Sequence, residues 1–337
     1  SRLNYPLIDG VVNGCPSHLL EPQRSNLVTY SEAFDNAYWT KSGSSLVSNQ
    51  LSPKGDLSAF KLVENTSNAI HILFRGGNVF VSGQYYSYSF YAKRNGRSQI
   101  LVKAGSTSTF GVNAIFDLQN GTSVSTVGTS NIQLISNEWY KCSVSGLASS
   151  TVSTELITYL YNGAQSYQGD GTSGVYIFGA QLEQGSYPTS YIPTSGSAVT
   201  RVAETANGAG DASTFNSLEG VLMAEISALA DDADTLRWIN LSDGGTSNRV
   251  AFYYRTDENQ LTYLVSSGGT QVFSTVTLSS ASSFNKIAAK YKQNDFSLWI
   301  NGYELITDTN GNAPVGLNDL SFDNAVGGDN FYGSAKQ

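Results

Sequence analysis

The sequence predicts an all-β protein built as two antiparallel β-sandwich (jelly-roll) domains in series. Three observations carry this. Apolar residues alternate with period two in short runs separated by Gly, Asn and Ser. No helical i, i+3, i+4, i+7 pattern persists. The chain has 337 residues, more than one hydrophobic core ordinarily organises, so two domains are the default.

Residues 1–24 read as an N-terminal arm or linker. They hold apolar Leu3, Tyr5, Leu7, Ile8, Val11, Val12, Leu19 and Leu20. At ~1.5–3 kcal/mol each these side chains are too costly to leave in water, yet so short a segment cannot enclose a core of its own. The arm is therefore expected to pack on a neighbouring subunit or partner.

The first domain is placed at 25–196. Gln84–Ala92 puts Tyr86, Tyr88 and Phe90 on one face and Tyr85, Ser87, Ser89 and Tyr91 on the other. Further strands are expected at Gln99–Lys103, Val112–Asp117, Trp139–Ser145, Glu155–Tyr161 and Val175–Leu182. Such a series of strands describes two packed sheets. Pro188, Pro193 and Thr194-Ser195-Gly196-Ser197 break the pattern, and Asn207-Gly208-Ala209-Gly210 extends the break, so 197–218 reads as a linker.

The second domain, 219–337, shows strand patterns at Val221–Ser227, Leu236–Leu241, Arg249–Arg255, Leu261–Val265, Gln271–Thr277, Lys286–Tyr291 and Phe296–Ile300. Asn301-Gly302 between apolar runs is a strong hairpin signal.

Charge excludes some functions. Through Thr200 there are 11 Lys+Arg and 11 Asp+Glu; from Arg201 there are 8 and 16, so the whole net charge of −8 lies in the second part. An acidic half without a basic, aromatic-interleaved run disfavours nucleic acid. No apolar run is long enough to insert into a membrane. Cys15 and Cys142 form no metal or redox motif, and Cys142 reads as a small buried hydrophobe.

Catalytic chemistry finds no foothold, and no catalytic residue is assigned. His18 and His71 are the two histidines, and neither lies in a zinc motif or near a G-x-S-x-G serine. A glycosidase needs two carboxyl groups about 5–10 Å apart; the E-x-D-x-x-E strand pattern is absent, and Asp231-Asp232-Ala233-Asp234 reads as a solvated turn. The chain is expected not to be an enzyme.

Sugar binding suits the residues better. Pyranose rings stack on aromatic faces while amides and hydroxyls take their hydroxyl groups. Tyr85, Tyr91, Tyr159 and Tyr161 are the candidate exposed aromatics. Trp238 and Trp299 can face either way, whereas Trp39 and Trp139 read as core.

Two blocks carry a family resemblance. The first holds Glu21-Pro22-Gln23-Arg24, Asn26-Leu27-Val28, Tyr30-Ser31-Glu32, Phe34-Asp35 and Trp39. The second holds Gly179-Ala180-Gln181-Leu182-Glu183 and Tyr187 to Thr194. Together they resemble the carbohydrate-binding-module-like jelly rolls of bacteriophage tail and head fibres, over about half the chain. Lys290-Tyr291-Lys292, Ser297-Leu298-Trp299, Asn301-Gly302 and Phe331-Tyr332-Gly333 are similar to laminin-G-like, concanavalin-type sandwiches. Such folds usually finish with one more strand after the Phe331-Tyr332-Gly333 motif, and Ser334 to Gln337 is too short for it, so the resemblance implies that the domain 219–337 is C-terminally truncated.

The resemblance implies a virion fibre or adhesin component that binds host cell-surface glycan without cleaving it. It implies a homo-oligomer on the particle surface, in contact with other virion proteins, because weak sugar contacts need avidity. It leaves His71 two readings, a structural histidine hydrogen-bonded at a sheet edge or a glycan-facing candidate. It also suggests Glu32, Asp35 and Gln181, with Asp170 as an alternate, as ligands for a structural Ca²⁺; no other cofactor is implied. Two alternatives stay open: a purely structural capsid-decoration or fibre-shaft protein, and the non-catalytic part of a secreted polysaccharide-degrading enzyme.

Overall fold

The computed structural model describes residues 2–4, 7–8, 11–12, 14–104, 111–230 and 235–336. The described residues are all strand, turn and irregular chain, with no helix. Every ladder between the named strands is antiparallel. The chain divides into two compact units. The N-terminal sandwich comprises Leu7–Val12 and Gln23–Val202; the C-terminal sandwich comprises the described parts of 1–6, 13–22 and 203–337.

The N-terminal sandwich has two six-stranded sheets. One runs Thr122–Val127, Val112–Asp117, Gln99–Ala104, Val152–Tyr161, Ile72–Phe80, Thr40–Ser42 in spatial order. The other runs Thr129–Ser136, Trp139–Leu147, Tyr85–Asn95, Gly174–Gln184, Ala59–Glu64, Ser44–Gln50. Alternation decides what lies between them. Tyr86, Tyr88 and Phe90 pack inward with Ile100, Val102, Phe116, Leu156, Leu160, Cys142, Val144, Val175 and Ile177. Cys142 is fully buried there, and burial pushes its thiol well above the ordinary value, which leaves it unreactive.

The C-terminal sandwich packs a seven-stranded sheet on a five-stranded one. The first runs Arg2–Asn4, Ser17–Leu20, Gly333–Lys336, Glu219–Ala228, Asn285–Lys292, Phe296–Ile300, Tyr303–Asp308. The second runs Thr270–Thr277, Gln260–Ser267, Asn248–Tyr254, Arg237–Ser242, Asp319–Ser321. Leu222, Ile226, Ile287 and Leu298 meet Ile239, Phe252, Tyr254 and Tyr263 between them. Asn301 and Gly302 have φ of 52° and 89°. That is the geometry of a primed two-residue turn, and it joins Phe296–Ile300 to Tyr303–Asp308.

Two expectations are corrected here. The first 24 residues are not merely an arm, because Ser17–Leu20 is an interior strand of the seven-stranded sheet, with Leu20 almost fully buried in its core. Ser334 to Lys336, expected to be too short, lies in a strand paired to Ser17–Leu20 on one side and Glu219–Ala228 on the other. Both misreadings share a cause. Each segment shows too few residues for a local period, and each takes part of its hydrogen bonds from a partner more than 300 residues away.

This placement is testable. Leu20→Ala is expected to cost the C-terminal sandwich ~2–5 kcal/mol, the usual range for emptying a leucine site in a core. Urea unfolding followed by tryptophan fluorescence is expected to show an earlier transition for that sandwich and an unshifted one for the N-terminal sandwich. An unchanged first transition would remove the strand from the core.

Candidate aromatic cleft on the outer sheet face

The outer face of the Tyr85–Asn95 sheet is covered in part by the chain that follows Gln184. Gln181 Nε2 donates to the carbonyls of Thr189 (3.4 Å) and Ser190 (3.3 Å), and Lys141 Nζ donates to Thr189 O (2.7 Å). This returning segment seats Tyr191 against Phe178, with ring centroids 5.5 Å apart, and against Tyr91 at 6.1 Å. Glu183, buried beneath it, accepts from Gln181 Nε2 (2.7 Å), Thr189 N (2.9 Å) and the Thr189 hydroxyl.

Further along the same face a cleft of about 260 Å³ is lined by Gln50, Leu51, Ser52, Lys93, Asn137, Trp139 and Tyr176. Its volume falls just below the ~300–1,000 Å³ of drug-sized pockets, room for a single ring. Trp139 forms the floor and is only 3% exposed. Tyr176 stands beside it as a half-buried wall, centroids 6.4 Å apart and planes tilted 40°. The Tyr176 hydroxyl accepts from Asn95 Nδ2 (2.8 Å), which fixes the ring.

The cleft owes its rim to a tight turn. Asn137 and Glu138 have φ of 48° and 63°, the left-handed pair of a primed hairpin turn, where a Glu is uncommon. Ion pairs to Arg94 (2.9 Å) and Lys93 (3.5 Å) hold Glu138 there and keep its carboxyl below the ordinary value, the Arg94 hydrogen bond contributing most. Lys93 Nζ also donates to Asn137 O (2.7 Å). The cleft thus presents aromatic edges, the Lys93 ammonium and the amides of Gln50 and Asn137, while the Ser52 hydroxyl is spent on Asp56 Oδ1 (2.6 Å). That set suits a neutral or weakly acidic polyol.

Trp139 was expected in the core; it is buried, but with Phe178 and Ala59 on the outer face instead. The signal lay in the alternation, since Cys142 points inward and a residue three positions earlier in a strand faces the other way.

The other predicted residues scatter. Tyr85 is exposed at the start of its strand, while Tyr91 is packed on Phe178 and Tyr191. Tyr159 lies on the outer face of the other sheet, nearly covered, with Ile72, Leu101 and Tyr161 around it and Lys103 Nζ 5.7 Å from its ring. The Tyr161 hydroxyl donates to Gly163 O (3.0 Å). Trp299 is exposed on the seven-stranded sheet, and its indole N–H donates to Ser297 Oγ (3.1 Å). Trp238 is buried against Tyr253 in the C-terminal sandwich.

His71 is fully buried and hydrogen-bonded, as in its structural reading, and the glycan-facing reading is corrected. Its Nδ1 lies 2.6 Å from Gly43 O and its Nε2 3.2 Å from Tyr167 O. The proposed calcium set is not assembled either. Glu32 is paired with Lys54 (3.1 Å) and accepts from the Tyr191 hydroxyl (3.1 Å). Gln181 spends its oxygen on Ile192 N (2.6 Å), and Asp35 is exposed at the surface. Asp170 caps its own loop, accepting from Thr172 N and Ser173 N (both 2.7 Å) and from the Ser173 hydroxyl (2.6 Å). No cluster of three or more His, Cys, Asp or Glu suited to a metal occurs among the described residues. The turn Asp231-Asp232-Ala233-Asp234 lies outside the described residues.

One buried charge cluster has the residue types of a catalytic centre. Glu64, its side chain wholly buried, accepts from Arg97 Nε (2.7 Å) and Nη2 (2.6 Å), the Tyr167 hydroxyl (2.7 Å) and Asp170 N (2.9 Å). The Tyr167 ring packs on His71 at 4.7 Å. Four donors fill the carboxylate's acceptor sites. The cluster therefore fastens the Asp170 loop to the sheet and leaves no lone pair to take a substrate proton.

No protein-family model matches the chain, and no curated protein matches it. Among solved structures, the mouse laminin α1 chain domains LG4-5 align at 11% identity with a TM-score of 0.29, covering 80% of this chain and 86% of that one. The LG1-3 region of the laminin α2 chain aligns at 13% identity with a TM-score of 0.20, covering 97% of this chain and 62% of that one.

The Glu64 cluster gives a pH-dependent expectation. Burial pushes the Glu64 carboxyl up, but Arg97, Tyr167 and the Asp170 N–H outweigh it and hold the group below its ordinary value. A depressed carboxyl stabilises fully above its unfolded value of about 4.3 and loses that contribution as pH falls through the lower folded value. Glu64→Gln, which strands Arg97, is expected to destabilise the N-terminal sandwich by ~3 kcal/mol at pH 7. That gap between wild type and variant, read by urea unfolding, narrows as the pH drops below about 4. A gap independent of pH would rule out the ion pair as its source.

Proposed function

We propose that this chain is a non-catalytic glycan-binding component of a bacteriophage fibre, exposed on the virion surface and bound to other virion proteins. The observation that carries the glycan part is the Trp139–Tyr176 cleft, an aromatic corner rimmed by Lys93, Asn137, Gln50 and Ser52. Its size and donor set match one sugar ring. The fibre part rests on the two sequence blocks resembling phage fibre modules, which meet in space: Asn26 bonds the backbone of Ala180 and Leu182, and Thr194 N donates to Ser31 Oγ. A single-ring contact is weak, so function requires several copies acting together.

A second reading, a purely structural decoration or shaft protein, draws on a different surface. Val221, Met223 and Trp299 are exposed apolar residues on the outer face of the seven-stranded sheet of the C-terminal sandwich. Met223 and Trp299 flank Ala288 in register. Apolar groups gathered on one face suit contact with another protein.

A glycan array probed with the full chain separates the two. The glycan reading expects binding to a restricted set of bacterial surface sugars, weakened about tenfold by Tyr176→Ala and unaffected by Met223→Ser. No sugar bound at any density supports the structural reading. Release of reducing ends from the bound glycan would overturn the non-catalytic assignment.

A further inference from the structure

The outer face of the five-stranded sheet in the C-terminal sandwich gathers polar groups that the protein leaves unpaired. Ile239, Leu241, Val250, Phe252 and Tyr254 point into the core. Trp238, Asn240, Arg249 and Tyr253 therefore share the opposite face. Asn240 is 0% exposed and Ser321, directly across from it on the neighbouring strand, is 1% exposed. Neither Asn240 Oδ1, Asn240 Nδ2 nor Ser321 Oγ has a hydrogen-bond partner. Two residues along, Trp238 is 7% exposed and its indole Nε1 is also unpartnered. Arg249 Nε and Asn330 Oδ1 complete the set, and Asn330 forms a backbone bridge beside Trp238.

These groups are neighbours. Arg249 is paired with Ser242, four residues from Trp238 along one strand. Yet its guanidinium carbon lies 4.8 Å from the Trp238 ring centroid. At ~3.3 Å per strand residue, the arginine side chain must run along the face past Asn240 to get there. Tyr253 stacks beneath the indole, centroids 3.7 Å apart and planes 18° from parallel, so Trp238 is fixed while Arg249 crosses over the polar groups as a strap. Its Nη1 donates to Asn324 O (3.1 Å).

A buried polar atom without a partner costs about 1–3 kcal/mol, and native chains rarely cluster several without a use. Here donors outnumber acceptors: the Arg249 and Trp238 N–H groups, the Asn240 amide and the Ser321 hydroxyl. Arg249 has no carboxylate partner among the described residues, and burial holds its guanidinium below the ordinary value. Carboxylates in the bordering loop are engaged elsewhere, Asp323 by Ala325 N (2.7 Å) and Asp329 by Asn324 Nδ2 (3.1 Å).

We infer that Arg249, Asn240, Ser321 and Trp238 form a second binding site, for a small hydroxylated carboxylate such as an acidic sugar. The carboxylate pairs with the guanidinium fork; the amide oxygens of Asn240 and Asn330 accept hydroxyl protons. The ligand gains access when Arg249 lifts from the face. The acidic balance of this half of the chain, 8 Lys+Arg against 16 Asp+Glu from Arg201 onward, repels a polyanion and leaves a singly charged ligand as the fit. The chemistry differs from that of the Trp139 cleft, so either site can fail without the other.

The test is titration of the full chain with glucuronate, glucose, acetate and sulfate, followed by NMR line shifts of the tryptophan indole N–H signals and by thermal melting. Glucuronate is expected to shift the Trp238 indole signal and raise the melting temperature, with glucose ineffective and acetate weaker. Arg249→Gln is expected to weaken glucuronate about tenfold or more while Tyr176→Ala leaves it unchanged. Asn240→Leu is expected to raise the melting temperature of the unliganded chain and abolish the response, because an apolar side chain of similar shape removes an unpaired amide. No response to glucuronate means that ordered water satisfies these groups, which overturns the site. An equal response to sulfate, or one surviving in Arg249→Gln, overturns the carboxylate assignment.

Discussion

The N-terminal sandwich depends on one buried amide. Asn26 Nδ2 donates to Ala180 O (3.2 Å) and Ile192 O (2.8 Å), while its Oδ1 accepts from Val28 N and Leu182 N (both 3.1 Å). All four hydrogen-bonding positions of the side chain are used, and they join the 26–28 stretch to two others, 180–182 and 192, more than 150 residues further along the chain. Ser31 and Thr194 repeat the arrangement: Thr194 N donates to Ser31 Oγ (2.8 Å), Ser31 N to Thr194 Oγ1 (3.1 Å), and Thr194 Oγ1 to Val28 O (2.6 Å). The opening and closing segments of the domain are thereby locked, and the returning segment that seats Tyr191 on the outer sheet face is locked with them. The aromatic cleft opens further along that face, beside Trp139 and Tyr176.

This latch also explains why the residues suggested for calcium hold none of the required geometry. Gln181 and Glu32 face the closing segment, but as hydrogen-bond partners of Ile192 and Tyr191. An oxygen already accepting an N–H has little left for a cation, which wants six to eight oxygens at 2.3–2.6 Å. Protein groups close this junction directly. The Glu64–Arg97–Tyr167 cluster follows the same logic at another place in the same sandwich, with each charge neutralised and each lone pair filled. Polar side chains here buy uniqueness of structure.

The outer face of the five-stranded sheet contrasts with the latch. Where the latch satisfies the Asn26 amide fully, this face gathers both side-chain atoms of Asn240 with Ser321 Oγ and Trp238 Nε1, all unpaired. Buried unpaired atoms in the other sandwich, such as Ser87 Oγ and Arg75 Nε, belong to separate strands. Local rules are broken most often where a protein binds something.

Most strands were legible in the sequence because their signal is local. Tyr86, Tyr88 and Phe90 alternate with Ser87 and Ser89, and a period of two needs only five or six residues to declare itself. Asn301-Gly302 likewise specifies its turn through backbone sterics alone. Edge strands such as Ser44–Gln50 and Thr122–Val127 were not legible, since Ser and Thr on both faces blur the period. The candidate site divides the same way. That Trp139 faces outward follows from Cys142 facing inward, but that it shares a cleft with Tyr176 and Gln50 depends on strands distant in sequence. The burial of His71 and the position of Ser17–Leu20 beside Gly333–Lys336 rest on partners distant in sequence. The sequence by itself determined the periodicity, the turns and the inward faces, because those are written in neighbouring residues; only the tertiary structure decided which outer faces are covered, because that is set by long-range hydrogen bonds with no local period.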